Sequence, residues 1–326
     1  MTQMNMVQAL NSALFNAMQK DETVLVLGED VGLDGGVFRV TDGLQKKFGA
    51  SRVFDTPLSE SGIVGASIGL AVAGFHPVAE IQFSGFIYPA FDQLISHASR
   101  MHNRSQGKYS CPLVVRAPCS GGVHALEHHS ESMEGLFVHT PGLKVAMPSC
   151  PADAKGLLLS AIKDPDPVIF FEPLKAYRQF KEEVSEDYYE IPLGKARLCR
   201  EGKDVTIVTY GTMVRPSMEA AELAKQEKNI SCEVIDLRTL SPIDFEAVRQ
   251  SVLHTNRLVI VHEAPQTLGV GAEIAGRICQ ENIYDLAAPI MRVTGYDTIM
   301  PYYKTEEEYI PSAKRIALAI KDAMEK

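Results

Sequence analysis

The residues best placed for chemistry sit at Asp55-Thr56-Pro57-Leu58-Ser59-Glu60, between a short β-branched run and a segment rich in small residues. A carboxylate where a strand hands over to a helix can hold or pass a proton, and strand C-terminal edges are where α/β proteins bind ligands. The same residues also fit a helix N-terminus in which Ser59 or Glu60 satisfies free N–H groups. The local pattern leaves both uses open. A second cluster, Glu127-His128-His129-Ser130, follows an apolar run at Leu113–Val115. Adjacent histidines in a loop do not converge on one metal ion without further ligands, and only His124, Glu127 and Glu131 are near in sequence.

The common cofactor signatures are missing. No GxGxxG follows a strand and opens a helix; Gly269-Val270-Gly271 lacks the third glycine. No GxxxxGK[ST] phosphate loop is present. The net charge of -9 opposes attraction to nucleic acid or to an anionic membrane. No apolar run nears the roughly 20 residues needed to span a bilayer, and the opening MTQMNMVQAL lacks the order of a secretory signal, so a cytoplasmic location is expected. The six cysteines are scattered without a CxxC pair and are expected as buried small hydrophobes.

Alternating periodicities supply the elements that must position these residues. Val24–Leu27, Val53–Phe54, Val78–Ile81, Leu113–Val115 and Val168–Phe171 have strand character, and Val7–Met18, Gly62–Gly74 and Phe91–His102 have helical spacing. Such alternation predicts an α/β fold with a mainly parallel sheet flanked by helices. Residues 173 to 203 lose periodicity, which places a domain boundary near 190 and predicts domains over 1–190 and 191–326. Beyond it come strands at Val205–Thr209, Cys232–Asp236, Leu258–Val261 and Ile290–Val293, with helices over Pro216–Gln226, Phe245–Leu253 and Gly271–Gln280. Gly65, Gly69 and Ala73 recur every fourth residue, a smooth face suited to close packing in a core or at a subunit interface.

Glu60, with Gly65, Ala66, Gly69 and Leu70, resembles the Glu-x4-Gly-apolar-x-x-Gly-apolar motif of the pyrimidine-binding domain in thiamine-diphosphate enzymes. Around it VLVLGEDV, DTPLSE, AEIQFSGFIYPAFDQ, HHSES, PGLKVAMPS, DAKGLLLSAI, EVIDLRTLSPID and RVTGYDT resemble, nearly end to end, β subunits of the first, decarboxylating component of 2-oxo acid dehydrogenases. The resemblance implies a transketolase-like pyrimidine-binding domain followed by a transketolase carboxy-terminal domain. It implies that Glu60, desolvated and with a raised pKa, holds a proton on the cofactor's aminopyrimidine ring and so activates it. It places Leu58, Gln82 and Phe86 around that ring, makes His129 the active-site histidine with His128 its neighbour, and implies a potassium ion held mostly by backbone oxygens of Leu113, Ala161, Ile162, Asp164 and Asp166. The Gly-Asp-Gly motif that grips the diphosphate through magnesium is absent here, so the resemblance implies an α subunit that supplies it in an α2β2 tetramer, and a lipoyl-bearing dihydrolipoyl acyltransferase core that receives the acyl group. His262-Glu263-Ala264-Pro265, RVTGYDT and IQFSGFIYPAFDQ resemble branched-chain enzymes more than pyruvate enzymes, which predicts a branched-chain 2-oxo acid, with pyruvate and acetoin dehydrogenase β subunits as alternatives.

Two other functional classes remain to be weighed. A stand-alone nicotinamide oxidoreductase would share the fold class but lacks the glycine fingerprint. A purely structural assembly subunit would leave Glu60 dispensable.

Overall fold

The structure of the protein, a computed structural model, describes residues 1–325. Its backbone forms two compact units: Met1–Cys119 with Leu136–Leu193, and Ser120–Gly135 with the chain from Gly194 onward. Both are α/β with mainly parallel sheets. The segment 120–135 belongs to the second unit although it lies within the first 190 residues of the sequence.

In the first unit the strands run in the order Lys144–Ala146, Val168–Pro173, Val114–Cys119, His76–Glu80, Val24–Gly28 and Val53–Asp55, every neighbouring pair parallel. Val24–Gly28 and Val114–Cys119 are buried along their whole length, as expected for strands covered on both faces. The helix Met6–Lys20 starts with a reciprocal cap, the Asn5 carboxamide accepting from the Gln8 N–H and the Gln8 side chain from the Asn5 N–H, both at 3.0 Å. Its Met6, Leu10, Ala13, Leu14 and Ala17 form one buried face against the helix Pro151–Lys163. Each fully buried leucine on such a face is worth about 1.5–3 kcal/mol.

The expected helix over Phe91–His102 is broken. A 3₁₀ turn at Ser84–Ala90 is followed by a π turn at Gln93–His97, a second 3₁₀ turn at Ala98–Arg100 and a short α turn at Met101–Arg104. Side chains compete for the backbone here: Ser99 Oγ and Arg100 Nε both donate to the Ile95 carbonyl at 2.9 Å, drawing it away from the α ladder.

A fully buried ionic group crosses three adjacent strands. Arg116 donates to Glu80 at 2.7 Å and, through two nitrogens, to both Glu172 oxygens at 2.7 and 2.8 Å. The Tyr177 hydroxyl also donates to Glu172. Burial, reinforced by Glu172 and opposed by Arg116, pushes the Glu80 carboxyl up.

The second unit carries a five-stranded sheet ordered Met291–Gly295, Leu258–Pro265, Val205–Thr209, Cys232–Asp236 and Arg197–Arg200, parallel except for the last strand. Helices Val214–Lys228 and Phe245–Thr255 both end on a left-handed asparagine, Asn229 and Asn256. The closing helix Ala313–Glu325 buries Ile316, Ala319, Ile320 and Ala323, spaced as one helical face.

Of the cysteines, Cys111, Cys119, Cys150 and Cys232 are buried; Cys199 is half-buried and Cys279 lies exposed on the helix Val270–Asn282, against expectation. Among the described residues, no helix is long and apolar enough to cross a membrane.

Candidate active site

Three strands of the first unit end together: Gly28 lies in register with Asp55 on one side and Glu80 on the other. The residues after those ends therefore share one edge of the sheet, and they include Glu29, Glu60 and Gln82. The Asp55 carboxylate accepts the Gly32 N–H at 2.6 Å and the Leu33 N–H at 3.4 Å, tying the turn after Val24–Gly28 to this edge. The approach at Gly32 is close: a Cβ there would stand 2.7 Å from Asp55 Oδ2 and would push on that carboxylate.

Glu60 is the first residue of the helix Glu60–Val72. Ser59 takes the cap position, yet its hydroxyl makes no capping hydrogen bond, so the serine is not used as an N-cap. Glu60 is partly buried in this chain, and Glu29, on the same edge, is buried. Burial, with the added repulsion of Glu60 and Asp30, raises the Glu29 carboxyl. Glu29 escaped notice in the sequence, although an acidic pair directly after an all-apolar strand was its visible signal.

Leu58 is 80% exposed beside this helix start. Gln82 donates to Asp30 at 3.3 Å. Phe86 sits on the 3₁₀ turn that packs against the Glu60 helix, its ring edge-on to Phe83 at 5.5 Å. Glu60, Gln82 and Phe86 thus belong to elements that meet at one edge. The small-residue face of the helix is open: nothing would touch a Cβ on Gly69 within 4 Å, and one on Gly65 would meet only Gln93, at 3.8 Å.

The histidine segment forms part of the second unit. His129 ends a 3₁₀ turn, its N–H donating to the Leu126 carbonyl at 2.9 Å. His128 is exposed, 3.5 Å from Glu131. A hydrogen bond from its own backbone N–H, and after it the Tyr302 hydroxyl, hold the Glu127 carboxyl below the usual carboxylate range. Among the described residues, no group of three or more histidine, cysteine, aspartate or glutamate side chains is arranged to hold a metal.

The residues assigned to potassium lie together in the first unit. The Leu113 carbonyl accepts from Val168 at 2.8 Å and that of Ala161 from Asp164 at 3.3 Å, so each keeps a second lone pair. Lys144 donates to both Asp164 oxygens, at 2.7 and 2.8 Å, and lies 3.3 Å from Asp166. Carbonyl and carboxylate oxygens suit a hard cation, but the lysine already compensates this carboxylate pair.

Known protein families match the chain in two stretches. The family model described as "Transketolase, pyrimidine binding domain" matches residues 2–179, and "Transketolase, C-terminal domain" matches 194–316. The chain is 50% identical over 325 residues to the pyruvate dehydrogenase E1 component subunit beta of Staphylococcus epidermidis, covering all of both chains. It is 48% identical to the protein of that name from Bacillus subtilis, again over 325 residues and all of both chains. A solved structure titled as a split gene transketolase, inactive beta4 tetramer, superposes with a TM-score of 0.80 at 23% identity over 99% of each chain, a likeness of fold alone. The chain belongs to the family of β subunits of the thiamine-diphosphate-dependent first component, E1, of 2-oxo acid dehydrogenases.

Proposed function

We propose that this chain, assembled with an α subunit, decarboxylates pyruvate and delivers the acetyl group to a lipoyl-lysine of an acyltransferase, with Glu60 as the residue that activates the cofactor. The observation carrying this is the shared edge: a carboxyl at a helix start, a second carboxyl with a raised pKa next to it, and an aromatic turn packed on the same helix. An open leucine beside a carboxyl suits an aminopyrimidine, which offers an apolar face and a ring nitrogen. When bound, thiamine diphosphate supplies the electron sink for loss of carbon dioxide from a 2-oxo acid. Glu60 holds the proton at the ring nitrogen; Leu58 and Phe86 exclude water from the ring face; Gln82 is oriented by Asp30. His129 donates a proton during transfer of the acyl group. The magnesium-held diphosphate is assigned to the α subunit, and the potassium set to the first unit of this chain.

Pyruvate is preferred over a branched-chain acid because relatives matching the chain end to end carry the pyruvate name. Two of the three segments that suggested a branched-chain acid, His262–Pro265 and Arg292–Thr298, hold the second unit together. His262 and Glu263 are buried, Arg292 donates to the Gln266 carbonyl, and Asp297 accepts from Thr267. Such contacts carry no information about a substrate side chain.

Two measurements on the enzyme reconstituted with an α subunit, thiamine diphosphate and magnesium test this. Glu60→Gln should assemble normally yet lose about a hundredfold or more of its turnover; wild-type turnover would remove the role. A screen of 2-oxo acids should give the highest kcat/KM for pyruvate, and a higher value for 3-methyl-2-oxobutanoate would restore the branched-chain assignment.

A further inference from the structure

We infer that Glu306 is a positioning residue, whose buried carboxylate holds the His128–His129 segment in its working shape. The segment turns sharply as it leaves the strand Val114–Cys119: Ser120, Gly122 and His124 have φ of 72°, 86° and 59°. For the two residues with side chains this left-handed backbone is costly and persists only where the surroundings enforce it. Backbone of this kind turns successive N–H groups to one side, making a concavity for an anion. The anion here is a side chain. Glu306, 1% exposed, accepts the N–H groups of Gly122 and of His124, the latter at 2.9 Å, and its Oε2 lies 2.8 Å from His124 Nδ1. The His124 ring in turn lies on Tyr303, with centroids 4.4 Å apart.

Glu263, 4% exposed, completes the grip. Its oxygens accept from the Gly121 N–H at 2.6 Å, the Ser132 hydroxyl at 3.1 Å and the Thr212 hydroxyl at 2.9 Å, so it ties both ends of the segment to the sheet of the second unit. Ser120 N–H closes the base by donating to the Glu131 carbonyl at 3.0 Å. Gly121 leaves room for the carboxylate: a Cβ would fall 2.8 Å from Met300 and 3.0 Å from Glu306 and would push on both side chains. The histidines lie between residues fixed at 124 and 132. A carboxylate buried this deeply needs these charge-assisted donors as much as the backbone needs the carboxylate, so removing either frees the other.

The role of Glu306 in turnover rests on the assignment of His129 to acyl transfer; the grip on the segment does not. The experiment uses the reconstituted enzyme with pyruvate and an isolated lipoyl domain, in Glu306→Ala and Glu306→Gln forms, each alone and combined with His129→Ala. Amide hydrogen exchange across 121–125 should accelerate by about tenfold or more, since each lost hydrogen bond to a charged group shifts the opening equilibrium by that order. Lipoyl acylation should fall by about tenfold or more in the His129 background and change little in the His129→Ala background, while binding of thiamine diphosphate stays constant. Glu306→Asp, which keeps the charge, should recover part of both losses. Unchanged exchange in the two Glu306 variants, or an equal fall in acylation in both backgrounds, overturns the proposal. Wild-type acylation by His129→Ala alone overturns the assignment of that histidine and the acylation role built on it, and the exchange arm then decides the grip separately.

Discussion

The two units bury carboxylates in different ways. In the first, Glu80 and Glu172 are answered by a guanidinium, and the group links three adjacent strands of one sheet. In the second, Glu263 and Glu306 are answered by backbone N–H groups and the Ser132 hydroxyl of a loop, with the Thr212 hydroxyl added at Glu263. A guanidinium presents a rigid fork that fixes side chains which already have a scaffold. Backbone donors reverse the relation, because the carboxylate becomes the scaffold on which a loop takes shape. A buried acid can thus stiffen a sheet or mould a functional segment, depending on what donates to it.

The largest effect expected from breaking this contrast is at Arg116. Arg116→Met leaves two carboxylates buried without their cation and should destabilise the protein by about 3–5 kcal/mol, read by urea unfolding. A loss below about 1 kcal/mol would mean that the group relaxes by taking up a proton or water, and the contrast between the units would weaken.

A middle-sized effect concerns His262, stacked on Tyr210 and buried, its Nδ1 3.1 Å from the Ala264 carbonyl. Burial depresses its pKa from 6.5 to about 4. For a depressed imidazole the unfolded chain takes up the proton first, so its contribution to stability is whole above 6.5 and is lost as pH falls toward about 4. His262→Gln should unfold with a flatter pH dependence across that window, and a parallel dependence in both proteins would show that the imidazole does not titrate this way.

The smallest effect is at Glu134, whose carboxyl accepts from Tyr210 at 2.7 Å and is raised by burial, with Glu263 adding to the rise. A raised carboxyl contributes stability that is whole below its unfolded value, about 4.5, and is lost as pH rises through its folded value. The stability of Glu134→Gln relative to the parent should therefore improve as pH climbs from about 5 to about 8. A constant difference over that range would place the ionised form in the folded protein and make Glu134 a third acid of the moulding kind.

Much of the fold was legible because its signals are local. Val24–Gly28, Val53–Asp55, Val205–Thr209 and Cys232–Asp236 announce themselves through β-branched runs, and the helix Met6–Lys20 through its apolar spacing. The break in Phe91–His102 was not legible, since apolar spacing is blind to side chains that capture a carbonyl. Glu60 stood out by motif, whereas Glu29 owes its raised pKa to burial and to the charges of Glu60 and Asp30, the first of which the fold brings near from thirty-one positions along the chain.

Sequence by itself determined the alternation of strands and helices, the chemistry available at Glu60 and the family, because each depends on residue types close together in the chain. Tertiary structure alone decided which unit owns 120–135 and which acid of a charged run is buried. Glu306, Glu307 and Glu308 are identical letters in a row, yet only Glu306 is buried. The reason is that its donors come from Gly122 and His124, more than a hundred and eighty residues away in sequence, and no local pattern records so distant a partner.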